Sequence, residues 1–182
     1  MRRFMINGVK PLTFFILISL LLVFGIGQSF AAKKTRKSST AHVHQVHDGD
    51  TVTLRLNGKK YRTRLIGIDA PEMGQKPWGR RAKQHLIKIM RQTNWTVTVD
   101  TDEERLDKYG RLLAYLWTKK TMINEKMLAD GFAMTFPMTP NVKYTDKFSR
   151  AEQNAQKTKK GIWGQDGLTE SPAEYRRKHP RK

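Results

Sequence analysis

The sequence contains no cysteine, which excludes a disulfide scaffold, thiolate-based zinc sites, a cysteine nucleophile and a lipidated N-terminal cysteine. Acidic residues are scarce too: 16 Asp and Glu stand against 35 Lys and Arg among 182 residues, a formal charge of +19. Long apolar runs are almost missing. Only Leu12 to Ile26 comes near the roughly 20 residues that a spanning helix needs. For this length the expectation is one ordinary domain, or two very small ones, with one modest core and no separate cofactor domain.

What is present divides the chain by position. Arg2, Arg3 and Lys10 precede the apolar run, and small residues at Ser29 and Ala31 follow it. This is the three-part form of a secretory signal peptide over residues 1–31, cleaved after Ala31. The expected protein is therefore secreted or periplasmic, with no membrane association after cleavage. An uncleaved anchor reaching Phe30 is the competing reading, and Gly25, Gly27, Gln28 and Ser29 interrupt it. Residues 32–41 read as a basic disordered arm, 42–168 as the folded domain and 169–182, ending RRKHPRK, as a basic C-terminal tail. Both basic ends look solvated, able to touch phosphates without reading sequence. So basic a surface points to a polyanion partner, nucleic acid before anionic lipid.

Within the domain the pattern is β-rich first and helical later. Val43 to Val46, Thr51 to Leu56 and Lys60 to Ile68 read as strands, the last two joined by Asn57-Gly58, a strong two-residue hairpin signal. Ala82, Leu86, Ile89 and Met90 recur at helical spacing inside Gly79 to Gln92, with Arg80, Arg81, Lys83, Lys88 and Arg91 elsewhere around the turn. That predicts an amphipathic helix with a basic outer face. Strands at Trp95 to Val99 and Arg111 to Trp117 follow, then a short helix around Ile123, Met127 and Leu128 before Gly131, and another from Asp146 to Lys160. The fold class is α+β: five short strands, with helices inserted and appended, suit a small closed barrel. Gly67 fits a bend at a barrel corner. A plain α+β sandwich is the alternative.

In so basic a chain each carboxylate is worth locating. Asp48 and Asp50 lie at the turn entering the second strand, and Asp69-Ala70-Pro71-Glu72 lies where the third ends. Loop carboxylates at strand ends are suitable material for a hard-cation site, and equally for an ordinary turn. The hairpin register places Asp50 opposite Leu65, four residues short of Asp69, a gap of roughly 13 Å in a flat ribbon. A bend at Gly67 would have to close it. A second group, Asp100, Asp102, Glu103, Glu104 and Asp107, fails as an EF-hand because Arg105 and Arg111 stand where Gly and Glu are needed,; it reads as a solvated loop. His42 and His44 share one strand face and His47 the other, which argues against a three-histidine metal centre. Trp78 is expected to pack over the barrel rather than to stack on a base, and Trp95, Trp117 and Trp163 to serve the core or the docking of the tail.

The segments HDGDT (His47 to Thr51), RLIGIDAPE (Arg64 to Glu72), DKYGRLLAY (Asp107 to Tyr115) and NEKMLADGFA (Asn124 to Ala133) occur in an order and at spacings that resemble the staphylococcal nuclease (thermonuclease) family. The resemblance runs from about Val43 to Trp163. It implies a five-stranded OB-fold barrel with three helices, and Ca²⁺-dependent endonuclease cleavage of DNA and RNA with little sequence preference, leaving 3′-phosphate ends. It further implies that Asp50, Asp69 and the backbone carbonyl of Ala70 hold the calcium. By the same likeness Arg64 and Arg111 grip the scissile phosphate, Glu72 acts as general base, and Lys108 and Tyr109 contact a neighbouring phosphate. The family's best-known member has two tyrosines in the loop after the second helix. Here that loop reads FAMTFPMTPN, one residue shorter, with Phe136 in place of one ring.

The chemistry accounts for these residue types. A phosphodiester is an anion whose transition state gathers charge on the non-bridging oxygens. Planar arginine forks remain charged at any relevant pH and match those oxygens. A carboxylate beside them can accept a proton from water. A non-catalytic OB-fold nucleic-acid-binding module is the rival reading, and such a binder has no chemical need of the set Asp50, Arg64, Asp69, Glu72 and Arg111. The expected partners are DNA and RNA substrates, with a monomeric chain and no obligate protein partner.

Overall fold

The computed structural model describes residues 39–180. The expected signal peptide and residues 32–38 of the basic arm lie outside them. Five strands close into a barrel in the order β1 (Ser39–Val46), β2 (Thr51–Leu56), β3 (Lys59–Leu65), β6 (Leu112–Trp117) and β5 (Thr96–Asp100). All neighbours are antiparallel except β3 and β6, which run parallel. Closure leaves the barrel without a free edge. Val43, Val52, Leu54, Leu65, Val97 and Leu116 are among the side chains that fill the core.

The β2–β3 hairpin turns at Asn57 (φ 50°) and Gly58 (φ 78°), the two left-handed positions a tight hairpin requires. It keeps the expected register, with Thr51 opposite Arg64 and Leu56 opposite Lys59. Strand β1 begins at Ser39, inside the segment expected to be an arm, because Ala41 is buried and its backbone pairs with Val97. Its exposed His42 and His44 share the outer face, while Nε2 of His47 lies 2.8 Å from Oγ1 of Thr53.

The third expected strand does not run through to Ile68. Gly67 adopts φ +78°, a conformation that favours glycine, and separates β3 from a two-residue strand β4 (Ile68–Asp69). Strand β4 pairs with β7 (Met134–Thr135), placing Asp69 opposite Met134. Such two-residue strands carry no periodicity for a sequence pattern to register. Asn124, fully buried, locks this corner: its Nδ2 donates to the Ile66 carbonyl at 2.8 Å and its Oδ1 accepts from the Leu116 amide at 3.0 Å.

Helix α1 (Trp78–Gln92) buries Ala82, Leu86, Ile89 and Met90 and exposes Arg80, Arg81, Lys88 and Arg91, as its spacing predicts. Helices α2 (Ile123–Ala129) and α3 (Thr145–Lys157) pack on each other. A fourth helix, α4 (Pro172–Lys178), occupies the expected basic tail, so the described architecture has one helix more than the three implied. Two expectations of solvation fail here. The tail folds because Ser171 and Glu174 form a capping box with Pro172 in the first turn,. The acidic loop is pinned down: buried Asp102 accepts hydrogen bonds from the Tyr115 hydroxyl and the Lys143 amide, both at 3.0 Å, and Asp100 accepts one from the Tyr144 hydroxyl at 3.0 Å. Trp78 is buried, its ring centre 6.4 Å from that of Phe132 and its Nε1 donating to the Asp166 carbonyl at 3.0 Å.

Candidate active site

The bend at Gly67 brings the two acidic motifs together. Asp50 Oδ2 accepts a 2.7 Å hydrogen bond from the Ala70 amide, so the gap expected of a flat ribbon is closed. Gly49 permits the approach, because a Cβ there would lie 2.5 Å from that of Ala70 and 2.8 Å from that of Ala82. The turn is set by Asp48, whose Oδ1 accepts from the Asp50 amide at 3.0 Å, a local bond typical of Asx turns.

Arg64 lies between the two aspartates. Its Nη1 is 3.1 Å from Asp50 Oδ1 and its Nη2 is 3.1 Å from Asp69 Oδ1. Nη1 also donates to the Leu65 carbonyl at 3.1 Å. All three residues are buried, so the fork is fixed by partners on both arms. Thr51 Oγ1 donates to Asp50 Oδ1 at 3.0 Å. Burial nevertheless pushes the Asp50 carboxyl up to about 7, against the opposing pull of the Arg64 guanidinium.

Glu72 stands at the more open side of the cluster, its side chain 21% exposed against 4% for Asp69. The loop carrying it is held by Gln75, whose Oε1 accepts from the Glu72 amide at 2.9 Å and whose own amide donates to the Glu72 carbonyl at 2.9 Å. A second guanidinium, that of Arg176 on α4, reaches both Asp69 and Glu72. The cluster of Asp50, Asp69, Glu72, Arg64 and Arg176 thus holds three carboxylates and two guanidinium groups.

The remaining expected residues form a neighbouring group rather than part of this network. Arg111 precedes β6, whose Leu113 pairs with Arg64 on β3. Its Nε donates to Asp107 Oδ2 at 2.7 Å, and Asp107 Oδ1 accepts from the amides of Tyr109 and Arg111. These bonds outweigh the effect of partial burial and hold the Asp107 carboxyl below its ordinary value. Tyr109 is 72% exposed, with Lys108 Nζ 5.1 Å and Arg111 Cζ 5.6 Å from its ring centre. Phe136 is exposed beside a small cavity of about 170 Å³ that Gly67, Tyr115 and Phe148 also line.

Among the described residues no three His, Cys, Asp or Glu side chains form a metal-binding group. A hard cation would draw on the two aspartates, the Ala70 carbonyl and water, a donor set of the all-oxygen kind that Ca²⁺ accepts. The two buried aspartates, and the guanidinium that already bridges Asp69 and Glu72, fit a site that favours positive charge. Sequence reasoning missed Arg176, Gln75 and Thr51. The S-P-A-E run at 171–174 signals a helix start, but no spacing links Arg176 to carboxylates more than a hundred positions earlier.

Comparison with known proteins identifies the family of the chain. The model of the staphylococcal nuclease homologue family matches residues 62–165. The thermonuclease of Staphylococcus hyicus is 37% identical over 142 residues, covering 73% of this chain and 80% of that protein. The thermonuclease of Staphylococcus intermedius is 38% identical over 126 residues, covering 66% and 74%. Endonuclease YncB of Bacillus subtilis is 32% identical over 142 residues, covering 75% and 67%. With its closed five-stranded barrel and a family match over more than half its length, the chain belongs to the staphylococcal nuclease family.

Proposed function

We propose that this protein is a secreted or periplasmic endonuclease that hydrolyses phosphodiester bonds of DNA and RNA, with Ca²⁺ held by Asp50, Asp69 and the carbonyl of Ala70, leaving 3′-phosphate ends. The observation that carries the reading is the buried Asp50–Arg64–Asp69 network with Glu72 at its open edge. The relatives named thermonuclease and endonuclease support the same reaction class.

When bound, the ion supplies charge neutralisation at a non-bridging phosphate oxygen. The protein supplies the rest. Arg64, locked on both sides, presents its guanidinium without needing to reorganise as charge develops on the phosphate. Arg111, exposed enough to swing from Asp107, adds a second planar fork. Glu72 accepts the proton of the attacking water, its loop kept in place by Gln75, and the in-line attack breaks the bond to the 5′ oxygen of the next nucleotide, which leaves as a hydroxyl after taking a proton from solvent. Lys108 and the exposed ring of Tyr109 extend the contact along the strand, where a cation and an aromatic face together suit single-stranded nucleic acid. Secretion rests on the sequence of residues 1–31 alone.

The test is digestion of single-stranded DNA and of RNA by the purified chain with Ca²⁺, with Mg²⁺ and with chelator. Cutting with Ca²⁺ that stops on chelation is the expected result. Binding that persists in every condition without cutting would make the protein a nucleic-acid-binding module instead.

A further inference from the structure

Arg176 lies beyond the segment matched by the family, yet it reaches two carboxylates of the site, Asp69 and Glu72. Its Nη1 donates to Asp69 Oδ1 at 2.9 Å and to Glu72 Oε1 at 3.0 Å, and its Nη2 donates to Asp69 Oδ2 at 2.9 Å. Both oxygens of Asp69 therefore face one fork, the bidentate arrangement that makes arginine–carboxylate pairs strong and directional. Asp69 Oδ1 also faces Arg64 at 3.1 Å.

The segment that delivers Arg176 is fastened independently of it. Trp78 Nε1 donates to the Asp166 carbonyl and Gln75 Nε2 to the Glu170 carbonyl, each at 3.0 Å. The Ser171–Glu174 capping box then fixes the start of α4. Tyr175 rests on Gly74, where a Cβ would lie 2.0 Å from the tyrosine hydroxyl. Gln75 thus ties the loop of Glu72 to the strap that carries Arg176.

We propose that Arg176 competes with the divalent ion for Asp69 and so sets the affinity of the site for that ion. The two cations compete for Asp69, so the ion loosens α4 and docked α4 weakens the ion. This rests on the reading of Asp50 and Asp69 as metal ligands. Without Arg176, three carboxylates face one guanidinium, and a doubly charged ion gains attraction; with it, the ion meets a like charge across a shared carboxylate. Coupling between two ligands of one protein is reciprocal, so whatever the ion loses to Arg176, α4 loses to the ion.

The experiment is calorimetric titration of Ca²⁺ into the full chain, its Arg176→Gln and Arg176→Lys variants and an Asp50→Asn control, with hydrogen exchange of the Tyr175 and His179 amides measured with and without Ca²⁺. Arg176→Gln is expected to bind Ca²⁺ tighter by about 5–150-fold, the usual span of such coupling. Arg176→Lys, which keeps the charge without the fork, is expected to fall between it and the unaltered chain, and it carries the test if the Gln variant does not fold. Exchange of the two amides, bonded to Ser171 and Tyr175 within α4, should quicken with Ca²⁺ in the unaltered chain. Equal or weaker Ca²⁺ binding by the variants, or exchange that is unchanged or slowed, overturns the competition and leaves the metal reading intact. If the unaltered chain binds no Ca²⁺, or Asp50→Asn binds it equally well, the metal reading itself falls, and the competition with it.

Discussion

Asp50 and Ala70, twenty positions apart, meet through a 2.7 Å hydrogen bond from the Ala70 amide to the Asp50 carboxylate. That bond joins the turn entering β2 to the segment leaving β4, and Arg64 fills the angle between them. The site is a consequence of the bend at Gly67, because straight continuation of β3 would carry Asp69 away from Asp50.

Replacement of Gly67 by Ala tests the bend. A Cβ at that position would lie 2.5 Å from Cε2 of Phe148, on a backbone with φ +78°. Left-handed strain and overpacking together should destabilise the chain by about 2–4 kcal/mol. Urea unfolding of the variant against the unaltered chain measures it, and cleavage should fall in folded protein as well, since Asp69 moves with the bend.

Arg64→Lys tests the fork. Lysine keeps the charge but cannot address Asp50 and Asp69 with two coplanar arms. The fork's three bonds, to two carboxylates and the Leu65 carbonyl, become one or two, in a place where an uncompensated charge costs about 3–5 kcal/mol when a partner is removed outright. The variant is expected to lose part of that stability and to cleave single-stranded DNA at least about a hundredfold more slowly, comparable with loss of a transition-state hydrogen-bond donor elsewhere. Chemical denaturation and single-turnover cleavage separate the two effects.

Much of this arrangement was legible in the sequence, and the reasons differ by residue. The hairpin at Asn57-Gly58 and the buried face of α1 follow from local chemistry repeated at a fixed period, so both emerge in the structure as expected. The break at Gly67 was readable as a bend, but the pairing of β4 with β7 depends on residues far along the chain. Asp102 looked solvated because its partners, Tyr115 and the Lys143 amide, are distant in sequence. Arg176 was hidden for the same reason, inside a run of bases whose average character is that of a solvated tail.

Asp130 provides a prediction about acid stability. Partial burial would raise its carboxyl, but hydrogen bonds from His85 and Lys126 outweigh that and hold it down to about 2. Its Oδ2 lies 2.7 Å from His85 Nε2 and 2.8 Å from Lys126 Nζ. A depressed carboxyl contributes stability that is fully present above the unfolded value, near 4, and is lost as pH falls through the folded one. Asp130→Asn should therefore cost about 1 kcal/mol at pH 6, a modest figure for a partly exposed charge-assisted pair, and the difference from the unaltered chain should vanish towards pH 2. Thermal unfolding across that range checks both the sign and the window.

In the proposed reaction Glu72 takes the proton of the attacking water beside Asp50, Arg64 and Asp69. The measurement that tests it most directly is single-turnover cleavage of single-stranded DNA by Glu72→Gln with Ca²⁺ present, alongside the affinity of the same variant for uncut DNA. Loss of a general base predicts cleavage slower by about 10²–10⁴-fold, with DNA affinity within a few-fold of the unaltered chain. Cleavage at the unaltered rate would contradict the account and remove Glu72 from the chemistry.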